Sequence, residues 1–382
     1  MKDPEPIPML DLKAQIRPIE GSLVEAVNEV LLSGQYILGE RVSRFEQAIG
    51  DYLGGVHAVT VSSGTDALLV CLMSLEVGPS DEVLTSPLSF FATASSIVRI
   101  GARPVFADID PDTFNLEPAS VRERLSQPPR AVIPVHLYGR CLDERLVETC
   151  RQAGAVVIED AAQAIGATFA SGEHAGTLGE LGCFSFYPTK NLSAGGDAGL
   201  VVTPSSERAD SIRSLRAHGA TSERYLHSRI GGNFRMDALQ AAILEVKLPM
   251  LDGWTRRRRE LAARYRGLLE QPAECGRLVL PTEPRWGSQE QPPHVYHQFV
   301  CRCDQRDALR RWLTERGIAT GIYYPVPLHL QPCFASLGYR EGDFPEAERA
   351  CREVLALPIY PELSFGQQER VAGEIAAFYQ AH

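Results

Sequence analysis

The chain of 382 residues is long enough for one large domain and a smaller one, each with its own apolar core. Its formal net charge of −10 argues against a nucleic-acid partner, because binding a phosphate backbone requires a basic face. The sequence has no apolar run of membrane-spanning length and no secretory leader, so we expect a cytoplasmic protein without a membrane partner.

Seven short β-rich segments alternate with helical patterns through the first 215 residues. Strands alternating with helices at this spacing predict an α/β fold, with a mostly parallel sheet covered by helices on both faces. The predicted strands are 56–62, 81–85, 104–109, 131–135, 155–158, 182–187 and 198–203, and helices are predicted at 67–75, 91–100, 142–152 and 205–215.

The pattern changes after two long helical segments, which begin at 236 and at 251. Residues 272–293 are rich in Pro, Glu and Gly and indicate a connecting loop, followed by a strand at 296–303 and helices at 304–316 and 346–355. We therefore expect a large domain at 1–250 and a small one at 251–382. The run of four arginines at 256–259 indicates one exposed helical turn.

Lys190 is one of only four lysines, against 34 arginines. It follows the predicted strand 182–187 and precedes a Gly-rich turn that ends at Asp197. Schiff-base chemistry requires such an amine, because burial lowers its pKa and a Gly-rich backbone leaves room for a cofactor. The alternative is a loop lysine that faces water.

Two other predicted strands end in polar residues that could belong to the same site. Ser63-Gly64-Thr65 lies between a strand and a helix start, where backbone N–H groups favour a phosphate, although ordinary helix capping explains it equally. Asp160 ends an apolar strand, and a buried carboxylate there needs a cation such as a protonated pyridine nitrogen. A capping role before the next helix is the alternative for Asp160.

Other candidates have simpler explanations. His136 ends a strand and is expected to be structural, while Phe90 and Phe91 could stack on a flat ring or belong to the core. Asp108 and Asp110 resemble the Asp-x-Asp of metal-dependent glycosyltransferases, but they also fit a strand exit and turn. The nine scattered cysteines contain no Cys-x-x-Cys pair, so we expect reduced thiols and no metal site.

The order of these segments resembles the DegT/DnrJ/EryC1/StrS family, the sugar aminotransferases that use pyridoxal 5′-phosphate. The resemblance runs from residue 7 to residue 361. It is carried by the motifs at 33–39 (SGQYILG), 63–68 (SGTDAL), 159–163 (EDAAQ), 182–191 (GCFSFYPTKN), 232–237 (GNFRMD) and 323–331 (YYPVPLHLQ). It implies a large cofactor-binding domain with a mostly parallel seven-stranded sheet, and a smaller C-terminal α+β domain.

The resemblance also implies roles for the cofactor-binding residues. Lys190 would hold pyridoxal phosphate as an internal aldimine, and Asp160 would pair with its ring nitrogen. Gln163 would bond to the ring hydroxyl, and Phe90 would stack on the ring. The phosphate would be bound by Gly64, Thr65 and Ser185, with Asn233 reaching it from the other subunit of a homodimer with shared sites.

The reaction that the resemblance implies is a ping-pong transfer of an amino group from glutamate to a keto-sugar nucleotide. Candidate substrate contacts are Arg235, from the partner subunit, with Tyr323 and His329. The motifs favour amination at C3 of the sugar; C4-keto sugar nucleotides and keto-inositols are the alternatives, and glutamine is an alternative donor.

Three other functions are alternatives. A dehydratase of the same fold would carry histidine in place of Lys190, and a regulatory or binding protein on this scaffold would have lost Lys190 or Asp160. A glycosyltransferase would give Lys190 no role.

Overall fold

The computed structural model describes residues 5–223, 225–283 and 292–382. Its strands are β1 (His57–Val61), β2 (Glu82–Thr85), β3 (Arg103–Phe106), β4 (Ala131–Ile133), β5 (Val156–Asp160), β6 (Leu181–Ser185), β7 (Gly199–Thr203), β8 (Leu278–Val279), β9 (Phe299–Cys303) and β10 (Val354–Leu357). The first seven form one sheet in the order β1-β7-β6-β5-β4-β2-β3. Only β7 runs antiparallel to both of its neighbours in that sheet, which confirms the mostly parallel seven-stranded sheet expected from the sequence.

Helices connect and cover these strands. They are α1 (Leu12–Ile16), α2 (Glu20–Ser33), α3 (Glu40–Tyr52), α4 (Gly64–Ser74), α5 (Phe91–Arg99), α6 (Pro118–Arg124), α7 (Glu144–Gln152), α8 (Ser206–Leu215), α9 (Ala238–Lys247), α10 (Leu251–Leu268), α11 (Glu270–Glu274), α12 (Arg306–Glu315), α13 (Pro345–Glu353) and α14 (Phe365–Ala381). Single-turn 3₁₀ segments include Leu137–Gly139 and Leu328–Leu330. Among the described residues, no helix has the length and apolar character needed to span a membrane.

The two faces of the large sheet pack against different helices. Strand side chains alternate between two cores, as at Val83 and Leu84, because successive residues of a strand point to opposite faces. One core contains residues of α2, α3, α7 and α9, and the other contains residues of α4, α5 and α8. Burial of both faces explains why the strands are continuous apolar segments.

A second, three-stranded antiparallel sheet has the order β10-β9-β8 and packs with α10, α12 and α14 around a third core. Ile7 joins this core and pairs with Ile318, so the described N-terminal residues lie with the C-terminal part. The division of the chain at residue 250 stays a prediction.

Two boundaries predicted in the C-terminal part differ from the structure. The helix expected at 346–355 ends at Glu353, and Val354–Leu357 forms a fully buried strand instead. The loop expected at 272–293 contains the end of α11 and the short β8, while 284–291 lie outside the described residues.

Candidate active site

A cavity of about 610 Å³ opens where the carboxyl ends of the parallel strands meet the C-terminal part of the chain. Parallel α/β sheets bind their ligands at this edge. Eight of the residues expected in the site line the cavity: Gly64, Thr65, Phe90, Asp160, Gln163, Ser185, Lys190 and Tyr323. The structure therefore brings together segments that lie far apart in the sequence.

Lys190 reaches the cavity from the turn between β6 and β7. Its backbone N–H donates to the carbonyl of Tyr187 at 2.8 Å, which closes the turn, and Asn191 Nδ2 donates to the carbonyl of Val295 at 3.1 Å. Burial lowers the pKa of Lys190 to about 8, against the opposing effect of the Asp160 charge. Roughly a tenth of this amine is therefore neutral, and hence nucleophilic, at pH 7.

Asp160 ends β5 with its carboxylate buried at the cavity wall. Oδ2 accepts a hydrogen bond from Thr93 Oγ1 at 2.8 Å, and Oδ1 accepts one from the Ala162 N–H at 3.2 Å. Burial raises the pKa of Asp160, while these donors and Lys190 lower it. The part of the chain that the structure describes supplies no ion-pair partner within 4 Å, so the carboxylate fits a cationic group from a ligand, such as a protonated ring nitrogen.

The start of α4 forms a narrow cradle for an anion. Gly64 and Thr65 are the first residues of α4, whose first N–H groups have no acceptor within the helix. A Cβ atom on Gly64 would lie 2.7 Å from Ser185 Cβ, so only glycine lets the helix approach β6 this closely. Ser63 caps the helix through a 3.1 Å bond from the Asp66 N–H, so the capping and phosphate-binding interpretations are compatible. These groups fit a phosphate.

Gln163 and Phe90 also line the cavity. Gln163 Oε1 accepts a bond from the Tyr138 N–H at 2.6 Å, and Nε2 donates to the Tyr324 hydroxyl at 3.3 Å. The Phe90 ring is 57% exposed, with its centroid 6.1 Å from that of Tyr324. An exposed aromatic ring beside a fixed amide fits a flat heteroaromatic group with a hydroxyl substituent.

Three residues expected in the site do not line this cavity. Asn233 is exposed and Arg235 half-buried on the segment between α8 and α9, which agrees with the expectation that both serve a partner's site but does not test it. His329 is 1% exposed, and its Nε2 lies 3.1 Å from Glu348 Oε1. The structure gives His329 a packing role next to Phe344, with ring centroids 4.8 Å apart, rather than a substrate contact.

Two other polar residues have structural roles. His136 is fully buried, and its Nε2 lies 2.8 Å from Glu159 Oε2, as expected for a structural histidine. Asp108 accepts bonds from the N–H groups of Glu346 and Ala347 at 3.0 Å each, so it caps α13. Its carboxylate is thus used in joining the two parts of the chain.

The cavity also contains residues that the sequence did not indicate, above all Arg258, His297 and Tyr324. The expectation of one exposed arginine turn is wrong for Arg258, which is 2% exposed. A signal was present in the spacing, because Arg258 falls on the buried stripe of α10 with Leu251, Thr255, Leu261, Ala262 and Tyr265.

Comparison with known proteins gives the family. Residues 18–376 match the model of the DegT/DnrJ/EryC1/StrS aminotransferase family. A "Pleiotropic regulatory protein" from Geobacillus stearothermophilus is 47% identical over 375 residues, 98% of this chain and 99% of that protein. A UDP-N-acetyl-3-dehydro-α-D-glucosamine 3-aminotransferase from Acidithiobacillus ferrooxidans is 38% identical over 367 residues, 96% of each chain.

A solved structure supports the cofactor. NtdA from Bacillus subtilis, crystallised with bound pyridoxamine phosphate (PMP), superposes with a TM-score of 0.90 at 28% identity, covering 99% of this chain and 86% of that one. The fold, the cofactor and the resemblance drawn from the sequence motifs are thereby confirmed. The chain belongs to the DegT/DnrJ/EryC1/StrS aminotransferase family and is a sugar aminotransferase that uses pyridoxal phosphate.

Proposed function

We propose that this protein transfers the amino group of glutamate to C3 of a keto-sugar nucleotide in a ping-pong reaction. The observation that carries this proposal is one cavity in which the Lys190 amine faces the buried Asp160 carboxylate beside the anion cradle of α4. The Acidithiobacillus relative, named for amination at C3 of a UDP-sugar, supports the acceptor.

The residues of the cavity have distinct tasks in this proposal. Pyridoxal phosphate supplies an electrophilic carbon for the amine and a ring that accepts electrons. Lys190 would anchor it and, as a free amine, would carry the proton that leaves the donor's α-carbon. The Asp160 carboxylate keeps the ring nitrogen protonated, and Thr93 and the Ala162 N–H fix that carboxylate.

The remaining contacts bind and orient. Gly64, Thr65 and Ser185 would hold the phosphate, Phe90 would stack on the ring, and Gln163 would bond to the ring hydroxyl. Tyr323, which lines the cavity, contacts the sugar nucleotide. A C4-keto sugar nucleotide or a keto-inositol is the alternative acceptor, and glutamine the alternative donor.

We further propose a homodimer that completes each site with Asn233 and Arg235 of the partner subunit. Support comes from large apolar side chains that are exposed on the single chain: Leu32 (89%), Ile37 (59%) and Ile230 (88%). In mixed dimers with Asn233→Ala on one subunit and Lys190→Ala on the other, an Asn233 that serves the partner's site leaves one site with neither change and the other with both. An Asn233 that serves its own subunit leaves each site with one change. Cofactor binding that follows Asn233 in its own subunit would contradict the shared site.

The function is tested by absorbance spectra of the cofactor-loaded protein. Excess glutamate should convert the pyridoxal form to the pyridoxamine form, and a 3-keto sugar nucleotide should restore the pyridoxal form. Return of the pyridoxal form with 4-keto sugar nucleotides or keto-inositols, but not with 3-keto compounds, would contradict the C3 proposal. A cytoplasmic location stays a prediction.

A regulatory role is the second candidate, and the name of the Geobacillus relative favours it. The two candidates differ in what they require of Lys190 and Asp160, since a protein that only binds ligand needs neither group to react. A Lys190→Ala variant that complements a deletion strain as well as the unchanged protein does would favour a regulatory role.

A further inference from the structure

Arg258 is a buried cation that forms no ion pair within 4 Å among the described residues, and the carboxylate whose charge acts on it is that of Glu362. Arg258 lies in the middle of α10 and is 2% exposed. Nη1 donates to the carbonyl oxygens of Ile359 and Tyr296 at 2.8 and 3.1 Å, whereas Nε has no acceptor among the described residues. Burial lowers the pKa of Arg258 only to about 10, so the side chain stays charged at neutral pH. Burying an unpaired charge is costly, and a ligand that supplies the anion removes that cost.

Arg258 shares its cavity with Lys190. Both line the same space, Lys190 from the large sheet and Arg258 from the C-terminal part. The two charges act on one imidazole, because burial first, then Lys190 and Arg258, hold the pKa of His297 well below its usual range. Within the described part of the lining, Arg258 is the only cation besides the reacting amine.

We propose that Arg258 binds a carboxylate of the amino donor, an inference that rests on the proposed function. The donor's α-carbon has to lie within reach of Lys190 Nζ for proton transfer, so its carboxylates lie in the same part of the cavity. Nη1 makes all of the bonds to the backbone carbonyls. The other edge of the guanidinium group, formed by Nε and Nη2, is therefore left to bind a ligand. The two N–H donors of this edge match the two oxygens of a carboxylate.

The diphosphate of the acceptor is the competing anion, but it lies several bonds from the keto carbon that reacts. The donor's α-carboxylate is bonded directly to the carbon that reacts, so a cation in the same cavity as Lys190 is better placed for it than for the diphosphate. The two ligands can therefore be told apart by measuring how a change at Arg258 affects the binding of a dicarboxylate and of a nucleotide.

The test measures equilibrium binding of glutarate and of UDP to the cofactor-loaded protein by calorimetry, together with the rates of reaction with glutamate and alanine. Glutarate has two carboxylates and no amine, so it reports binding without reaction. We expect Arg258→Gln to weaken glutarate binding and raise the glutamate concentration for half-saturation roughly 10- to 100-fold, with UDP binding unchanged. An equal effect on alanine assigns the α-carboxylate, and an effect confined to glutamate assigns the side-chain carboxylate.

Arg257 provides the matched control. It lies next on the same helix and also bonds to backbone carbonyls, at Pro361 and Leu363, but it does not line the cavity. Arg257→Gln should leave glutarate binding within about twofold of wild type, which would exclude a general effect of removing a carbonyl-bound arginine from α10. Arg258→Lys, which keeps the charge, should show a smaller loss and serves if Arg258→Gln does not fold.

Three results would overturn the inference: wild-type protein that does not bind glutarate, variants that bind it as wild type does, or an Arg258→Gln variant that loses UDP instead. Failure of the proposed function gives a different result. If the wild type binds glutarate but takes its amine from another amino acid, glutamate is wrong as donor, while the glutarate measurements still decide whether Arg258 binds a carboxylate.

Discussion

The two walls of the cavity are built in different ways. On the large-sheet side, Gly64, Asp160 and Lys190 each lie within five residues of a strand end. On the opposite side, Arg258 comes from the middle of a helix, and His297 and Tyr324 come from segments without regular structure. The first wall is placed by local geometry, and the second depends on how three distant segments pack.

In the proposed function, the large-sheet wall carries the reacting groups and the opposite wall carries the residues that select the substrate. Strand ends in a parallel sheet are held by hydrogen bonds on both sides, so they fix reacting groups with little freedom. The opposite wall is attached to a separate core and three-stranded sheet. It is suited to contacts that distinguish one substrate from another.

Lys190→Ala should have the largest effect of any change to the large-sheet wall. We expect the reaction with glutamate to fall by at least about 10³-fold, because the anchoring amine and the base are removed together. Stopped-flow absorbance after loading with pyridoxal phosphate measures the rate.

Covalent attachment gives a control independent of turnover. After borohydride reduction of the wild type, mass spectrometry should find the cofactor on the peptide containing Lys190 and not on peptides with Lys13 or Lys247. Attachment at another lysine, or full turnover by Lys190→Ala, would contradict the assignment.

The contrast between the two walls also explains which residues of the site could be predicted from the sequence. Asp160 and Lys190 were placed at the cavity in advance because Asp160 ends, and Lys190 closely follows, an apolar segment whose strand character is readable locally. Arg258 was missed because its burial depends on the packing of α10, although its place in the apolar stripe was visible. Helix α14 was missed as well, despite the capping box formed by Ser364 and Gln367.

Asp160→Asn tests the electrostatics of the large-sheet wall. The amide keeps the shape but removes the charge that holds a ring proton, so we expect a loss of about 10²- to 10³-fold in rate with the cofactor still bound. The measurement is the rate of the reaction with glutamate.

Asp197→Asn is the matched control, since Asp197 also lines the cavity but is exposed. Its loss should be at least about tenfold smaller, because water screens an exposed charge. Equal losses would show that the buried position of Asp160 has no special role.

The pH dependence of cofactor capture tests whether the burial of Lys190 lowers its pKa. Only the neutral amine attacks an aldehyde, and burial lowers the pKa of Lys190 to about 8. The rate at which cofactor-free protein captures pyridoxal phosphate should therefore rise about tenfold per pH unit below 8 and level off above it. A rate that keeps rising to pH 10 would indicate an ordinary, solvent-exposed lysine.

His329→Ala should have the smallest effect on activity. It tests whether the opposite wall of the cavity extends as far as His329. The variant loses the bond to Glu348 and ring contacts in a buried cluster, so we expect the free energy of unfolding to fall by about 1–3 kcal/mol. Because His329 does not line the cavity, the KM for the sugar nucleotide should stay within about twofold, whereas Tyr323→Ala should raise it roughly tenfold. Chemical denaturation and steady-state kinetics on both variants separate the two effects. A large rise in KM for His329→Ala at unchanged stability would place this histidine in the substrate site after all, and would extend the selecting wall into the segment after Tyr324.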